Sequence, residues 1–150
     1  MFWGSFSYQG VGSLVPIEGI MNAKKYIKLI KQTIVKDMQE AFPNNDGKFQ
    51  QDLAPCHRAK TVQSEFTNND IDLLFWPGNS PDLNPIENLW SILKAEQKKR
   101  DSGTKDKLKE IVIDLWFNHP NITKHCKKLV ESMPTRIQKL IENQGGHINY

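Results

Sequence analysis

Two acidic residues carry the strongest chemical possibilities in this sequence. Asp52 stands near the end of the run "KFQQDLAP", and Glu87 stands in "GNSPDLNPIENLW", at the mouth of a helix. Carboxylates held by a strand end and a helix start can ligate divalent cations. Two such cations about 3.5–4 Å apart activate water and stabilise the leaving oxygen in phosphodiester cleavage. Hard oxygen donors of this kind suit Mg2+ or Mn2+. Each acid also has a plainer reading. In Asn84-Pro85-Ile86-Glu87, Asn84 can cap a helix, Pro85 can fill its first position, and Glu87 can reach back to the Asn84 amide as in a capping box. From spacing alone that is the commoner outcome. Asp82 reads as a turn residue, and Asp52 can simply bond the turn that follows it.

Cysteine and histidine offer less. Cys56-His57 and His125-Cys126 mirror one another, but adjacent ligands bite one zinc ion poorly, and structural zinc sites space their ligands more widely. A Cys56 nucleophile with His57 as base meets a similar objection, because neighbouring side chains on one element diverge. Between Lys94 and Lys109 seven basic residues, Lys94, Lys98, Lys99 and Arg100 among them, stand against three acidic ones. With Arg58 and Lys60 they could line a phosphate backbone, with affinity falling as salt rises. A solvated helix face is the ordinary fate of such a run, but its place on the helix of Glu87 favours nucleic acid. Trp76, Trp90 and Trp116 read as packing residues.

These residues need a frame. A length of 150 residues is that of one domain, and 38% hydrophobic with 25% charged residues excludes disordered and fibrous classes. The net charge of +3 is too small by itself to demand a polyanion. Two cysteines make no disulfide framework, and no apolar run is long enough to span a membrane, so an intracellular, reducing compartment is expected. The opening "MFWGSFSYQGVGSLVPIEG" reads as a chain entered in mid-domain, with a hairpin about "YQGVG". Ile27, Ile30, Ile34 and Met38 recur at helical spacing over residues 22–42. "KFQQDLAP" and "DIDLLFW" predict short strands, with a helix in "HRAKTVQSEFTNN" between them and a stiff loop in "PGNSPDLNP" after them. Helix is expected from Pro85 to about Arg100, broken by "DSGT". Leu108, Ile111, Val112 and Leu115 mark one further amphipathic segment, and Val130, Met133, Ile137, Leu140 and Ile141 another, closed by Gly145-Gly146. Strands alternating with helices favour an α/β mixed sheet, whose active sites lie beyond the carboxyl ends of its strands.

The same stretches carry a resemblance. "FQQDLAPCHRAK", "WPGNSPDLNPIENLWSILK" and "LVESMPTRIQKLIENQGGHINY", with "MFWGSFSYQGVGSL" at the front, look like the catalytic half of a mariner-superfamily DDE transposase, of the branch whose third acid is glutamate. The resemblance covers essentially the whole chain. It implies a ribonuclease H-like fold, a mixed sheet flanked by helices, incomplete at the N-terminus where the first strand is missing, with a helical C-terminal tail. It makes Asp52 the second acid and Glu87 the third, with the 34 residues 53–86 between them, the spacing of that branch. In such enzymes these acids and a first Asp bind two Mg2+ (or Mn2+) ions. Water cuts the end of the element, and the freed 3′-hydroxyl attacks target DNA.

The resemblance thus implies DNA as partner, a homodimer as the assembly to consider, the nucleus as location, and neither membrane nor small-molecule substrate. By the same comparison the first Asp and the helix-turn-helix region stand upstream of the segment that begins here at Met1. The implied reading is a partial catalytic domain, truncated and not competent alone. Its rivals are a non-catalytic transposon-derived DNA- or protein-binding module and a non-functional pseudogene product. Leu53, where the family often has Asn, is expected to perturb hydrogen bonding beside the acid.

Overall fold

The computed structural model describes residues 1–75 and 80–148; the expectations for Trp76 and Pro77 lie outside them. The chain opens as the sequence predicts, with β1 (Phe2–Ser7) and β2 (Gly10–Pro16) in a two-stranded antiparallel sheet. Gly10 leaves the turn at a φ of 144°, which side-chain-bearing residues rarely adopt. A helical run follows: α1 (Ala23–Leu29), a π-helical turn (Ile30–Ile34) and α2 (Val35–Ala41). Asn22 starts it, its side chain accepting the Lys25 N–H at 2.9 Å.

The strands predicted at "KFQQDLAP" and "DIDLLFW" shrink to one parallel bridge, Phe49 with Leu73. The Phe49 N–H donates to the Asp72 carbonyl at 2.8 Å, and the Leu74 N–H to the Phe49 carbonyl at 2.9 Å. A ladder cannot extend past Asp52, because its carboxylate takes the Ala54 N–H at 3.0 Å and turns the chain. Pro55 then begins α3 (Pro55–Arg58), followed across an extended Ala59 by α4 (Lys60–Asn68).

Two compact units result. The first comprises Met1–Trp3 and Val15–Ser80. Its core joins Tyr26, Leu29, Ile30 and Ile34 to Val62, Phe66 and Ile71. Ile30 and Ile34 are fully buried, as their helical spacing predicts. The second unit comprises Gly4–Leu14 and the chain from Pro81 onward. It holds a 3₁₀ turn (Pro81–Leu83), α5 (Pro85–Gln97), α6 (Lys105–Asn118), α7 (Ile122–Glu131) and α8 (Met133–Glu142). Its core gathers Leu89, Leu93, Ile111, Leu115, Trp116, Cys126 and Leu129, with Phe6, Val11 and Leu14 of the hairpin tip packed on it. Trp116 stacks on Trp90 at 4.8 Å and donates its indole N–H to the Gly12 carbonyl at 2.9 Å. Glycine at position 4 is dictated by this packing, since a Cβ there would lie 2.6 Å from a ring carbon of Trp116.

The last predicted segment differs from the structure in two ways. It is cut at Ser132, because Pro134 belongs in the first turn of a new helix rather than inside an old one. Its buried residue is also unexpected: Ile137 and Ile141 are exposed, whereas Arg136 is 2% exposed. Among the described residues no helix is long and apolar enough to cross a membrane.

Candidate active site

Asp52 belongs to the first unit and lies three residues beyond the bridge at Phe49. Its two oxygens have different surroundings. Oδ1 accepts the Ala54 N–H at 3.0 Å and lies 2.6 Å from His57 Nδ1, which donates to it. Oδ2 makes no hydrogen bond among the described residues, and the side chain is 54% exposed. The turn-bonding role is therefore real, but it occupies one oxygen and leaves the other open. His57 is held in turn: its ring lies 4.2 Å from that of Tyr26, which is fully buried and donates its hydroxyl to Gln51 Oε1 at 2.6 Å. Burial raises the Tyr26 phenol far above its ordinary range, so it stays a donor. A rigid path thus runs from the core through Tyr26 and His57 to Asp52.

The sequence suggested only a poor zinc ligand or base at His57. Its spacing of five residues from Asp52, across a proline-initiated helix, is the signal that could have placed it beside the acid.

Glu87 lies in the second unit, in the first turn of α5. Asn84 caps that helix by backbone geometry but with no side-chain bond. The expected capping box does not form. The Asn84 N–H is already given to the Pro81 carbonyl at 3.0 Å in the 3₁₀ turn, so nothing remains for the Glu87 carboxylate to accept there. Glu87 is exposed, and its carboxylate has no partner among the described residues. The helix dipole favours negative charge at this position, so an unpaired anion costs little there. Asp82 is more than a turn residue: only 6% exposed, it accepts the Ile148 N–H on Oδ2 at 3.1 Å.

The basic residues divide by what already holds them. Lys99 pairs with Glu96 at 2.8 Å, and Arg100 with Asp114 at 2.5 Å. The Lys99 hydrogen bond holds the Glu96 carboxyl below its usual range, and those from Arg100 and then Asn118 do the same for Asp114. Lys94 on α5 and Lys98 at its C-cap, both exposed, have no ion-pair partner among the described residues, nor do Arg58 and Lys60 in the first unit. Cys126 is a core residue whose thiol burial pushes up to about 11, unsuited to nucleophilic work. His125 lies 5.6 Å from His119, ring to ring, and burial lowers its pKa. Among the described residues no three His, Cys, Asp or Glu side chains gather where they could hold a metal ion. Asp52 in the first unit and Glu87 in the second each keep an open carboxylate, and carboxylate oxygens are hard donors of the kind divalent cations such as Mg2+ take.

The chain is similar to known proteins in sequence and in fold. The family model of the DDE superfamily endonucleases matches residues 2–109. The Tc3 transposase of Caenorhabditis elegans is 34% identical over 152 residues, covering 100% of this chain and 45% of that protein. The Tc1 transposase of the same organism is 34% identical over 153 residues, covering 100% and 54%. The chain therefore spans about half the length of the curated relatives it matches. Among solved structures, the Mos1 transposase catalytic domain with raltegravir and Mg superposes with a TM-score of 0.85 at 17% identity, over 97% of this chain and 75% of that one. The Mos1 paired-end complex with the left transposon end gives 0.85 at 17% identity, over 97% and 44%. The fold is thereby the ribonuclease H-like α/β arrangement expected from the sequence.

Proposed function

The chain belongs to the DDE superfamily endonucleases, and from that membership we propose that it is catalytic-domain sequence of a Tc1/mariner-type transposase, serving metal-dependent DNA cleavage and strand transfer. The observation that carries the reading is the Glu87 carboxylate, left open at a helix start whose cap does not use it. Glu87 and Asp52 are the carboxylates this segment supplies for Mg2+ or Mn2+, in keeping with Mos1 structures that contain Mg and Mn. Bound cations would supply Lewis acidity at the attacking and leaving oxygens of the phosphodiester. The chain's own residues do the holding. Asp52 presents Oδ2 while His57 and the Ala54 amide fix Oδ1. Glu87 presents both oxygens from the start of α5, and Lys94, Lys98, Arg58 and Lys60 contact DNA phosphates. The Mos1 complexes with transposon ends support DNA as the partner, and a nuclear location follows from that substrate.

Mn2+ titration of residues 1–150, followed by electron paramagnetic resonance, tests the reading. Asp52→Asn and Glu87→Gln are each expected to weaken binding by roughly tenfold or more, whereas Lys94→Gln leaves it unchanged. Binding that survives both acid substitutions overturns the assignment. If salt-dependent DNA binding persists while neither acid affects metal, the binding-module alternative takes its place.

A further inference from the structure

We propose that Arg136 is a positioning residue for Glu87, and that with Asp82, Asn88 and Ile148 it makes the C-terminal segment a clamp on the start of α5. The inference rests on the reading of Glu87 as a metal ligand. Arg136 is 2% exposed, and a guanidinium cannot shed its charge, so its burial is tolerable only if its donors are satisfied. Nε donates to Ser132 Oγ at 2.8 Å, within its own segment. Nη1 donates to the Asp82 carbonyl at 2.9 Å and to Asn88 Oδ1 at 2.9 Å. Asp82, itself buried, turns its carboxylate the other way and takes the Ile148 N–H at 3.1 Å, with His147 Nδ1 at 3.6 Å. No buried side-chain polar atom among the described residues lacks a partner.

These bonds fall where they matter for Glu87. The Asp82 carbonyl belongs to the 3₁₀ turn that hands the chain to Asn84 and thence, through the Asn84 carbonyl, to the Glu87 N–H. Asn88 is the residue after Glu87, so the two side chains leave α5 about 100° apart. Gripping Asn88 at one side of the helix and Asp82 just before it fixes both the height of the helix start and its rotation about its axis. Glu87 has no bond of its own to aim it, so its direction is inherited from this clamp. A hydrophobic residue at 136 could fill the space but could not set the rotation.

The full chain carries the test. Asn88→Ala removes one grip from a helix position where alanine is well tolerated, Arg136→Lys keeps the charge but not the forked reach, and Glu87→Gln is the control for the underlying reading. Amide hydrogen exchange of residues 84–88 is expected to speed up in both clamp variants, while exchange in α1 and α4 stays as before. Mn2+ affinity is expected to fall by roughly tenfold in Asn88→Ala, the lower end of the cost of losing a group that orients a metal ligand, and by less in Arg136→Lys. Unchanged exchange and unchanged Mn2+ affinity in both variants overturn the clamp. If Glu87→Gln itself leaves Mn2+ binding intact, the metal reading fails, and exchange at 84–88 alone decides whether the clamp exists. Arg136→Met, where it folds, should match Asn88→Ala in both readouts; a variant of normal exchange and normal affinity counts against the proposal.

Discussion

Asp52 and Glu87 were both ambiguous in the sequence, and the structure separates their two possible roles in different ways. For Asp52 the plain role leaves room for the proposed one, because one oxygen bonds the turn and His57 while the other stays open. For Glu87 the plain role is absent, because a 3₁₀ turn had already consumed the amide it would have capped. Spacing rules could not see that, since the turn depends on Pro81 and on a buried Asp82 whose partner comes from position 148. His57→Ala should leave Asp52 on the turn amide alone and weaken Mn2+ binding by roughly tenfold, whereas Tyr26→Phe, which keeps the ring under His57, should change it little. Mn2+ titration of both variants separates a positioning role from mere packing. Gly4 makes a sharper demand. Gly4→Ala forces a methyl against Trp116 and is expected to destabilise the protein by about 1–3 kcal/mol, measured by denaturant unfolding.

Among the elements, α5 brings an acid at its start and a basic surface along its length. Charge counting along Lys94–Arg100 overstates what is available, because Lys99 and Arg100 already face Glu96 and Asp114. Lys94→Gln and Lys98→Gln together are therefore expected to reduce the slope of log affinity against log salt for duplex DNA by about 1–2. Lys99→Gln with Arg100→Gln should reduce it less, and the slopes of the two double variants, set against that of the unsubstituted protein, decide the matter. The helices were the legible elements: the run that follows Asn22 and the helix that opens at Pro85 both lie where their residues predict. The strands were less so. "KFQQDLAP" alternates properly, yet a carboxylate and a proline end it after one bridge pair. The face of α8 was also misread: hydrophobicity pointed to Ile137 and Ile141, whereas a satisfied arginine can be buried as deeply as an isoleucine when carbonyls meet it.

For the whole chain, the α/β class and the family were readable because long ordered motifs survive at 34% identity, while the division into two units was not, because it cuts through the hairpin. The two cores share a pH dependence. Burial raises Cys126 to about 11 and raises Tyr26 as well, so both groups hold their protons more tightly folded than unfolded. The stability they contribute is complete below the unfolded thiol pKa and is lost as pH climbs through the folded values. Melting temperature should therefore decline from about pH 9, and Cys126→Ala should flatten that decline, as read from melts between pH 7 and 11. The bond between Gly12 and Trp116 has one more consequence. It joins residues 104 apart in sequence, a loop whose closure costs about 4 kcal/mol of chain entropy. On a ribosome adding roughly 5–20 residues per second, the hairpin tip emerges several seconds before the tryptophan it must receive. Through that interval Phe6, Val11 and Leu14 have no core to cover them, so the second unit is completed only by the last half of the chain, and its opening strands wait uncovered until then.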